Sequence, residues 1–182
     1  MGKIFWMVGL CLVFLLALSG AQAAEPIKIG AFFDLTGASS AIGTPTKLVA
    51  EMVTKKINDE GGINGRPLQL VIADDEGDPT KAAIIAKKFI ESDKVVAIIG
   101  PTRTDTGMAS KPIIEQMKVP TFMCVGGDPP ITVKPFDWTF KSPQRTSVAV
   151  QKTYGYLKKK GIQKIAIITA GDGFGKDGKA WL

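Results

Sequence analysis

Five short apolar runs, separated by longer segments with apolar residues three and four positions apart, constrain the fold of this 182-residue chain more than any other feature. Continuous apolar runs bounded by Gly, Pro or Asp are typical of strands buried on both faces of a parallel sheet, and the longer segments are typical of amphipathic helices. The alternation predicts an α/β fold with a doubly wound parallel sheet. The predicted strands are Ile27 to Phe33, Leu68 to Ala73, Val95 to Ile99, Thr121 to Val125 and Ile165 to Thr169.

Proline and glycine mark where the helices are expected to begin and end. A capping side chain precedes a proline at Thr44-Pro45, Asp78-Pro79 and Ser142-Pro143. Proline suits the first helical turn because its φ is fixed and it has no N–H to satisfy, so each pair predicts a helix start. Gly61-Gly62 and Gly161 stand where helices need a left-handed stop residue.

The amino-terminal residues have the three-part pattern of a secretory signal peptide. Lys3 is followed by a 15-residue apolar run from Ile4 to Leu18 and by the small-x-small site Ala21-Gln22-Ala23. A membrane anchor is the alternative, but the run is shorter than the roughly 20 residues that a spanning helix needs. We therefore expect residues 1–23 to be removed, with cleavage after Ala23 or Ala24, and the mature protein to be periplasmic or otherwise exported.

Composition excludes several classes of site. The chain has no histidine and only two cysteines, of which Cys124 alone lies outside the predicted signal peptide. Histidine-dependent nucleophile systems and zinc sites made of His and Cys are therefore excluded, and one thiol cannot form an intramolecular disulfide. The formal net charge is +6, but lysine clusters such as Lys158-Lys159-Lys160 lie near predicted helix C-termini without aromatic neighbours. This distribution indicates solvated helix ends and not a nucleic-acid surface.

Two nucleotide-binding patterns overlap near the end of the sequence. Gly173 to Gly178 matches G-x-G-x-x-G, and Gly173 to Lys179 fits G-x-x-x-x-G-K. The phosphate loop needs Ser or Thr where Ala180 stands, and the dinucleotide motif needs an acidic residue about 20 positions on, beyond Leu182. We interpret the stretch as a glycine-rich turn into a helix and expect no cofactor.

The acidic run from Asp74 to Asp78 is the one candidate for a calcium loop. Its glycine, Gly77, is the fourth residue of the run instead of the sixth, and Asp78 is the predicted cap before Pro79. A polar connection between strand and helix accounts for the run better, so we expect neither a metal site nor an acid/base pair there.

Eight short motifs occur in a fixed order along the mature chain. They are Glu25 to Gly30, Leu35-Thr36-Gly37, Ile57-Asn58, Gly61 to Pro67, Asp74-Asp75, Asp78-Pro79, Ile99-Gly100-Pro101 and Val119-Pro120. Together they resemble the amino-terminal half of ABC-transporter solute-binding proteins, in the group of the leucine/isoleucine/valine-binding protein. The resemblance implies a two-lobed protein that closes around a small solute and delivers it to a membrane permease.

The resemblance also implies a division of the chain. Residues 24–141 correspond to the first ligand-binding lobe, and residues 142–182 to the hinge crossing and a truncated start of the second lobe. Phe140 to Pro143 resembles the first hinge crossing.

The family's ligand positions fall on four segments of this chain. Thr104 matches the position whose hydroxyl and neighbouring amides hold the ligand carboxylate, and Val125-Gly126-Gly127 matches the second ligand loop. Phe174 matches an aromatic position on the second lobe, and Ile42 falls where a first-loop aromatic is common.

Departures from the family pattern bear on the ligand. Gly127 replaces a hydroxyl residue, and Arg103 and Asp105 put charges beside Thr104. This set favours a carboxylate without an amine, such as an aromatic or keto acid. The alternative is that Arg103 is a surface residue that pairs with Asp105. The disulfide of some relatives is missing, since Gly77 and Arg103 stand at the matching positions.

Three classes of function remain. The resemblance favours an exported solute-binding protein whose partners are a small amino or organic acid and a permease. A ligand-sensing domain of a receptor shares the fold and is the alternative. An exported enzyme is least supported, because no constellation of Asp, Glu, Lys or Tyr for catalysis is visible.

Overall fold

A computed structural model describes residues 25–182, and the predicted signal peptide and its cleavage site lie outside this range. The described residues form five strands and six helices. The strands are β1 (Ile27–Phe33), β2 (Leu68–Asp74), β3 (Ala97–Ile99), β4 (Thr121–Met123) and β5 (Thr139–Lys141). The helices are α1 (Ser40–Asp59), α2 (Pro79–Glu91), α3 (Thr104–Met117), α4 (Pro129–Thr132), α5 (Thr146–Lys159) and α6 (Gly173–Trp181).

The five strands form one parallel sheet in the order β2-β1-β3-β4-β5. In the centre, Ile29 of β1 is in register with Leu70 of β2 and Ala97 of β3. The chain runs outward from β1 to β2 and then crosses back to β3, so the order reverses at the boundary between β1 and β3. The predicted α/β fold with a parallel sheet is confirmed.

The largest group of buried side chains lies between the sheet and α2. Phe32 of β1 meets Phe89 of α2 edge to face, with ring centroids 6.0 Å apart. Gly30 lets the Phe89 ring approach the strand, because a Cβ at residue 30 would lie 2.5 Å from that ring. A second group joins α3 to β4 through Ile114, Met123 and Val125.

Two of the three predicted helix starts are wrong. The helix assigned to Thr44-Pro45 begins earlier, at Ser40, because the Asp34 carboxylate accepts hydrogen bonds from the N–H groups of Gly37 (2.6 Å) and Ser39 (2.8 Å).

The helix assigned to Ser142-Pro143 begins later, at Thr146, because the Asp128 carboxylate accepts from the N–H of that residue at 3.0 Å. The third start is confirmed, since Asp78 caps α2 by accepting from the Lys81 N–H at 2.8 Å.

The predicted strand from Ile165 to Thr169 is also wrong. No strand among residues 25–182 pairs with this segment, and Ile168 is 98% exposed. The structure has a different fifth strand, β5, where the sequence suggested only the approach to the hinge crossing. The three stop glycines are confirmed, with φ of +99°, +75° and +69° at Gly61, Gly62 and Gly161.

Within the described range, no helix combines the length and apolar character that a membrane crossing requires.

Candidate functional site

A cavity of about 220 Å³ lies at the carboxyl ends of the strands. The loops that follow β1, β3 and β4 meet there, next to the point where the strand order reverses. Ligands of open parallel sheets bind outside the carboxyl ends of the strands at this kind of reversal. The lining residues are Ser39, Ile42, Thr102, Arg103, Thr104, Cys124, Gly126, Pro143, Asp172 and Phe174.

Thr104 lies at the start of α3 and is only 3% exposed. Its hydroxyl oxygen accepts a hydrogen bond from the Gly127 N–H at 3.0 Å, so its own proton is left to donate. The first intrahelical bond runs from the Gly107 N–H to the Arg103 carbonyl. The N–H groups of the first turn therefore have no acceptor within the helix, and the helix dipole favours an anion beside them.

Arg103 lies immediately before α3, and its half-buried side chain points to the loop after β1. Its Nη1 donates to the Ser39 hydroxyl at 3.1 Å. Its Nη2 lies 3.7 Å from an Asp105 carboxylate oxygen and 3.5 Å from one of Asp172. Arg103 thus lines the cavity and is also within ion-pair distance of Asp105, so both sequence interpretations describe part of its surroundings.

Apolar side chains, Phe174 and Ile42, also line the cavity. The Phe174 ring lies against the backbone of Gly126, where a Cβ would be 2.7 Å from the ring. Ile42 contributes a side chain that is 58% exposed. Gly127 packs against Thr104 in the same way, since a Cβ there would lie 2.8 Å from the Thr104 methyl group. Glycines thus let the second loop approach both neighbours closely.

Five of the eight predicted site residues line the cavity, and Asp105, Val125 and Gly127 lie beside it. Val125 adjoins the cavity in sequence, but its side chain is fully buried in the cluster with Ile114 and Met123. Asp105 lies behind Arg103 and against Gly173, where a Cβ would be 2.3 Å from the Asp105 carboxylate.

Sequence reasoning missed five lining residues, namely Ser39, Thr102, Cys124, Pro143 and Asp172. Asp172 had a local signal, because an Asp before a glycine-rich helix start is a typical cap, and it accepts from the Gly175 N–H at 2.9 Å. Cys124 had none. Burial raises the pKa of its thiol, an effect that the Ser142 hydroxyl and the Gly100 backbone only partly offset.

A cluster of carboxylates lies beneath the loops after β1 and β2. Oxygens of Asp34, Asp74 and Asp75 lie within 4.8 Å of one another. Both oxygens of Asp34 and of Asp74 accept hydrogen bonds from nearby loop groups, which fixes the turns. Asp75 is fully buried, and its Oδ2 has no hydrogen-bond partner. Burial raises the pKa of Asp75, and the two neighbouring carboxylates act in the same direction.

A larger cavity of about 450 Å³ lies beside the C-terminal half of α3, away from the carboxyl edge of the sheet. Two of its charged groups already serve the fold. The Lys111 ammonium donates to the Val133 carbonyl, and the Glu115 carboxylate accepts from the backbone N–H groups of Asp137 and Trp138. The smaller cavity, with an arginine and an open helix N-terminus, is therefore the better candidate for a polar ligand.

The sequence decides the family. The family model described as "Periplasmic binding protein" matches residues 26–182. The chain belongs to the periplasmic binding protein family. This periplasmic binding protein is 27% identical over 164 residues to the Leu/Ile/Val-binding protein homolog 1 of Brucella abortus, covering 88% of this chain and 43% of that relative.

Other comparisons agree. An amino acid binding protein of Pseudomonas aeruginosa is 26% identical over 85% of this chain and 42% of that relative. A solved structure of the branched-chain amino acid transporter substrate-binding protein LivJ from Streptococcus pneumoniae, in complex with isoleucine, matches with a TM-score of 0.69 and 26% identity. That match covers 74% of this chain and 38% of the other. The periplasmic binding protein described here thus spans under half the length of these relatives and has the fold of their first lobe.

Proposed function

We propose that the full-length protein is the solute-binding component of an ABC importer. It binds a small carboxylate-bearing solute between two lobes and delivers it to a membrane permease. The observation that carries this proposal is the convergence of the Thr104 hydroxyl, the first turn of α3 and the Arg103 guanidinium on one cavity of about 220 Å³. Membership of the periplasmic binding protein family and the names of its relatives support it.

The proposal includes the division of the chain inferred from the sequence. Residues 24–141 form the first lobe, and residues 142–182 form the hinge crossing and the start of the second lobe. Asp172 and Phe174, from the second segment, lie against Arg103 and Gly126 of the first at the cavity. A solute in this cavity contacts residues of both segments, as closure around a ligand requires. Export to the periplasm, after cleavage near Ala23, completes this proposal.

The chemistry of the cavity favours a carboxylate without an amine, such as an aromatic or keto acid. Gly127 offers no side-chain acceptor for an ammonium group. The two acidic side chains near the cavity, Asp105 and Asp172, both lie within 4 Å of the Arg103 guanidinium. They therefore already have a counter-charge and do not need the ammonium group of a ligand. An amino acid such as isoleucine, the ligand in the LivJ structure, is the other outcome of the test below.

The experiment is isothermal titration calorimetry on the full-length protein with matched pairs of ligands. Leucine is compared with its 2-oxo analogue, and phenylalanine with phenylpyruvate and benzoate. We expect the amine-free acid of each pair to bind more tightly, because only the carboxylate has donors waiting in the cavity. Failure of every carboxylate to bind contradicts the proposed function, whereas tighter binding of the amino acids contradicts only the ligand class.

Thr104→Ala tests the site itself. We expect it to weaken binding of the best carboxylate by roughly 1 to 3 kcal/mol, because it removes a buried hydroxyl that donates to the ligand. Thr104→Ser keeps that hydroxyl and is the matched control, with affinity close to that of the unchanged protein. Equal affinities in the two variants remove Thr104 from the site.

The alternative function is a ligand-sensing domain of a receptor, and an exported enzyme is the least supported. A membrane span and a signalling module in the full-length gene product favour the receptor. Turnover of any ligand in the panel favours the enzyme.

A further inference from the structure

The Arg103 side chain reaches the cavity by crossing the turn between β2 and α2. Gly77 stands in this turn with φ of +69°, and it has no side chain. A Cβ at residue 77 would lie 3.0 Å from the Arg103 Cδ and 3.4 Å from its Nε. The first of these distances is shorter than ordinary van der Waals contact, and the second is at its lower limit. The Arg103 side chain can therefore cross the turn because residue 77 has no side chain.

Of the two side chains that meet position 77, Arg103 is the one free to move. A Cβ there would also lie 2.8 Å from the Asp34 Oδ2. Asp34 is fully buried, and its two oxygens are held by the N–H groups of Gly37 and Ser39.

Arg103 is held less firmly. Its buried Nε has no hydrogen-bond partner, and its guanidinium has a single hydrogen bond, to the Ser39 hydroxyl, beside two carboxylates at 3.5 and 3.7 Å. A methyl group at residue 77 is therefore expected to displace the arginine, and it also presses on the Asp34 Oδ2.

We infer that Gly77 is a positioning residue that supports solute binding from outside the cavity, by leaving room for the Arg103 guanidinium to face the solute carboxylate. This inference rests on the proposed function. Gly77 does not line the cavity, so its effect on a ligand passes through a neighbour, either Arg103 or Asp34, whose carboxylate holds the N–H of the lining residue Ser39. The variants below separate these two routes.

The test is a double-mutant cycle in the full-length protein with Gly77→Ala, Arg103→Ala and both changes together. The readout is the Kd for the tightest carboxylate of the calorimetry panel. We expect Gly77→Ala to weaken binding about tenfold or more when Arg103 is present, and less than twofold when Arg103→Ala has already removed the guanidinium. An equal loss in both backgrounds, or an unchanged Kd, overturns the inference.

Gly161→Ala is the matched control for backbone strain. Gly161 also has φ of +69°, but a Cβ there would meet nothing within 4 Å. This variant carries the same cost of a left-handed backbone without the contact to Arg103, so we expect its Kd to be unchanged. A Kd that rises in Gly161→Ala as it does in Gly77→Ala assigns the Gly77 effect to general destabilisation and overturns the inference.

The same cycle measured by urea unfolding without ligand separates the two proposals. Non-additive unfolding free energies show that a side chain at residue 77 and Arg103 are in contact, whatever the protein binds. Additive energies overturn the placement of Arg103 over Gly77. Failure of the unchanged protein to bind any carboxylate overturns the proposed function, and the positioning role with it, while the unfolding cycle still reports the contact.

Discussion

Asp128 is the buried carboxylate on which three segments converge after β4. It accepts hydrogen bonds from the Lys141 ammonium at 3.1 Å and from the N–H groups of Thr146 and Ser147 at 3.0 and 3.3 Å. Burial raises the pKa of Asp128, but these donors outweigh it and hold the pKa below the usual value. Asp128 thus joins β5 and the start of α5 through its carboxylate, and its backbone N–H donates to the Asp177 carboxylate of α6.

Asp128→Ala is expected to lower the free energy of unfolding by about 3 to 5 kcal/mol, because it leaves the Lys141 ammonium, which is 1% exposed, without a counter-charge. Urea unfolding followed by circular dichroism measures the change. Asp59→Ala is the control, since it breaks the exposed pair with Lys55, and such pairs contribute little. A loss no larger than that of the control contradicts the role of Asp128.

Asp75 gives a prediction about pH. Its pKa in the folded protein is raised by burial above the ordinary value of 3.8. The folded state therefore binds a proton more tightly than the unfolded chain, and stability increases as pH falls from the raised pKa toward 3.8 and is lost as pH rises. Asp75→Asn removes the titrating group and the repulsion from Asp34 and Asp74.

We expect the Asp75→Asn variant to gain stability relative to the unchanged protein at pH 7, and this gain to shrink as pH is lowered toward 4. Urea unfolding at a series of pH values measures the difference. A gain that is constant over the series means that Asp75 does not titrate differently in the folded state.

At the scale of elements, strands and helices were predicted correctly where residues close in sequence determine them. β1 and β2 follow from continuous apolar runs, and α2 follows from the Asp78 cap beside Pro79. The starts of α1 and α5 were missed because each is fixed by a carboxylate outside the helix. Asp34 accepts from the N–H of Ser39, just before α1, and Asp128 accepts from the N–H of Thr146, the first residue of α5. The sequence of neither helix indicates that Asp34 or Asp128 is its partner.

The candidate site divides in the same way. Thr104, Gly126 and Phe174 were predicted from the family resemblance, and they do line the cavity. Pro143 and Cys124 join them only because the ends of β4 and β5 lie side by side in the folded sheet. Proximity of this kind, between residues far apart in the chain, cannot be predicted from neighbouring residues in the sequence.

β5 is held by α3 as well as by β4, which explains why so short a strand forms. The Glu115 carboxylate accepts from the backbone N–H groups of Asp137 and Trp138 and from the Thr139 hydroxyl. Glu115→Ala is expected to leave those donors unpaired, to lower the free energy of unfolding by about 1.5 to 3 kcal/mol, and to speed hydrogen exchange at these two N–H groups. Gln116→Ala, on the same helical turn, is the control; equal exchange in both variants contradicts this anchoring role.

At the scale of the whole molecule, one side of the sheet keeps two stacked aromatic rings exposed on β4 and β5. Met123 packs toward α3, and side chains alternate along a strand, so Phe122 faces the other side. There its ring stacks on Phe140, with centroids 5.2 Å apart, and the two residues remain 52% and 43% exposed. Paired exposed aromatic rings are an apolar patch of the kind that binds other surfaces.

The 182-residue chain, after removal of the predicted signal peptide, is therefore expected to bind the dye ANS under native conditions. Replacing both rings, Phe122→Gln with Phe140→Gln, should reduce the dye fluorescence clearly. Ile84→Gln is the control, because Ile84 is a single exposed apolar side chain, 63% exposed, on α2. A reduction as large in the control as in the double variant contradicts the assignment of the patch.

The position of β1 has a consequence for how the molecule assembles. It is the first strand in the described chain, yet it is the centre of its half of the sheet, and its neighbours begin only at residues 68 and 97. Both contacts require long loops to close, and such topologies fold more slowly than those built from local contacts. During synthesis β1 thus remains without its partner strands until residues 68 and 97 onward have been made, and in that interval its apolar side chains are open to other contacts.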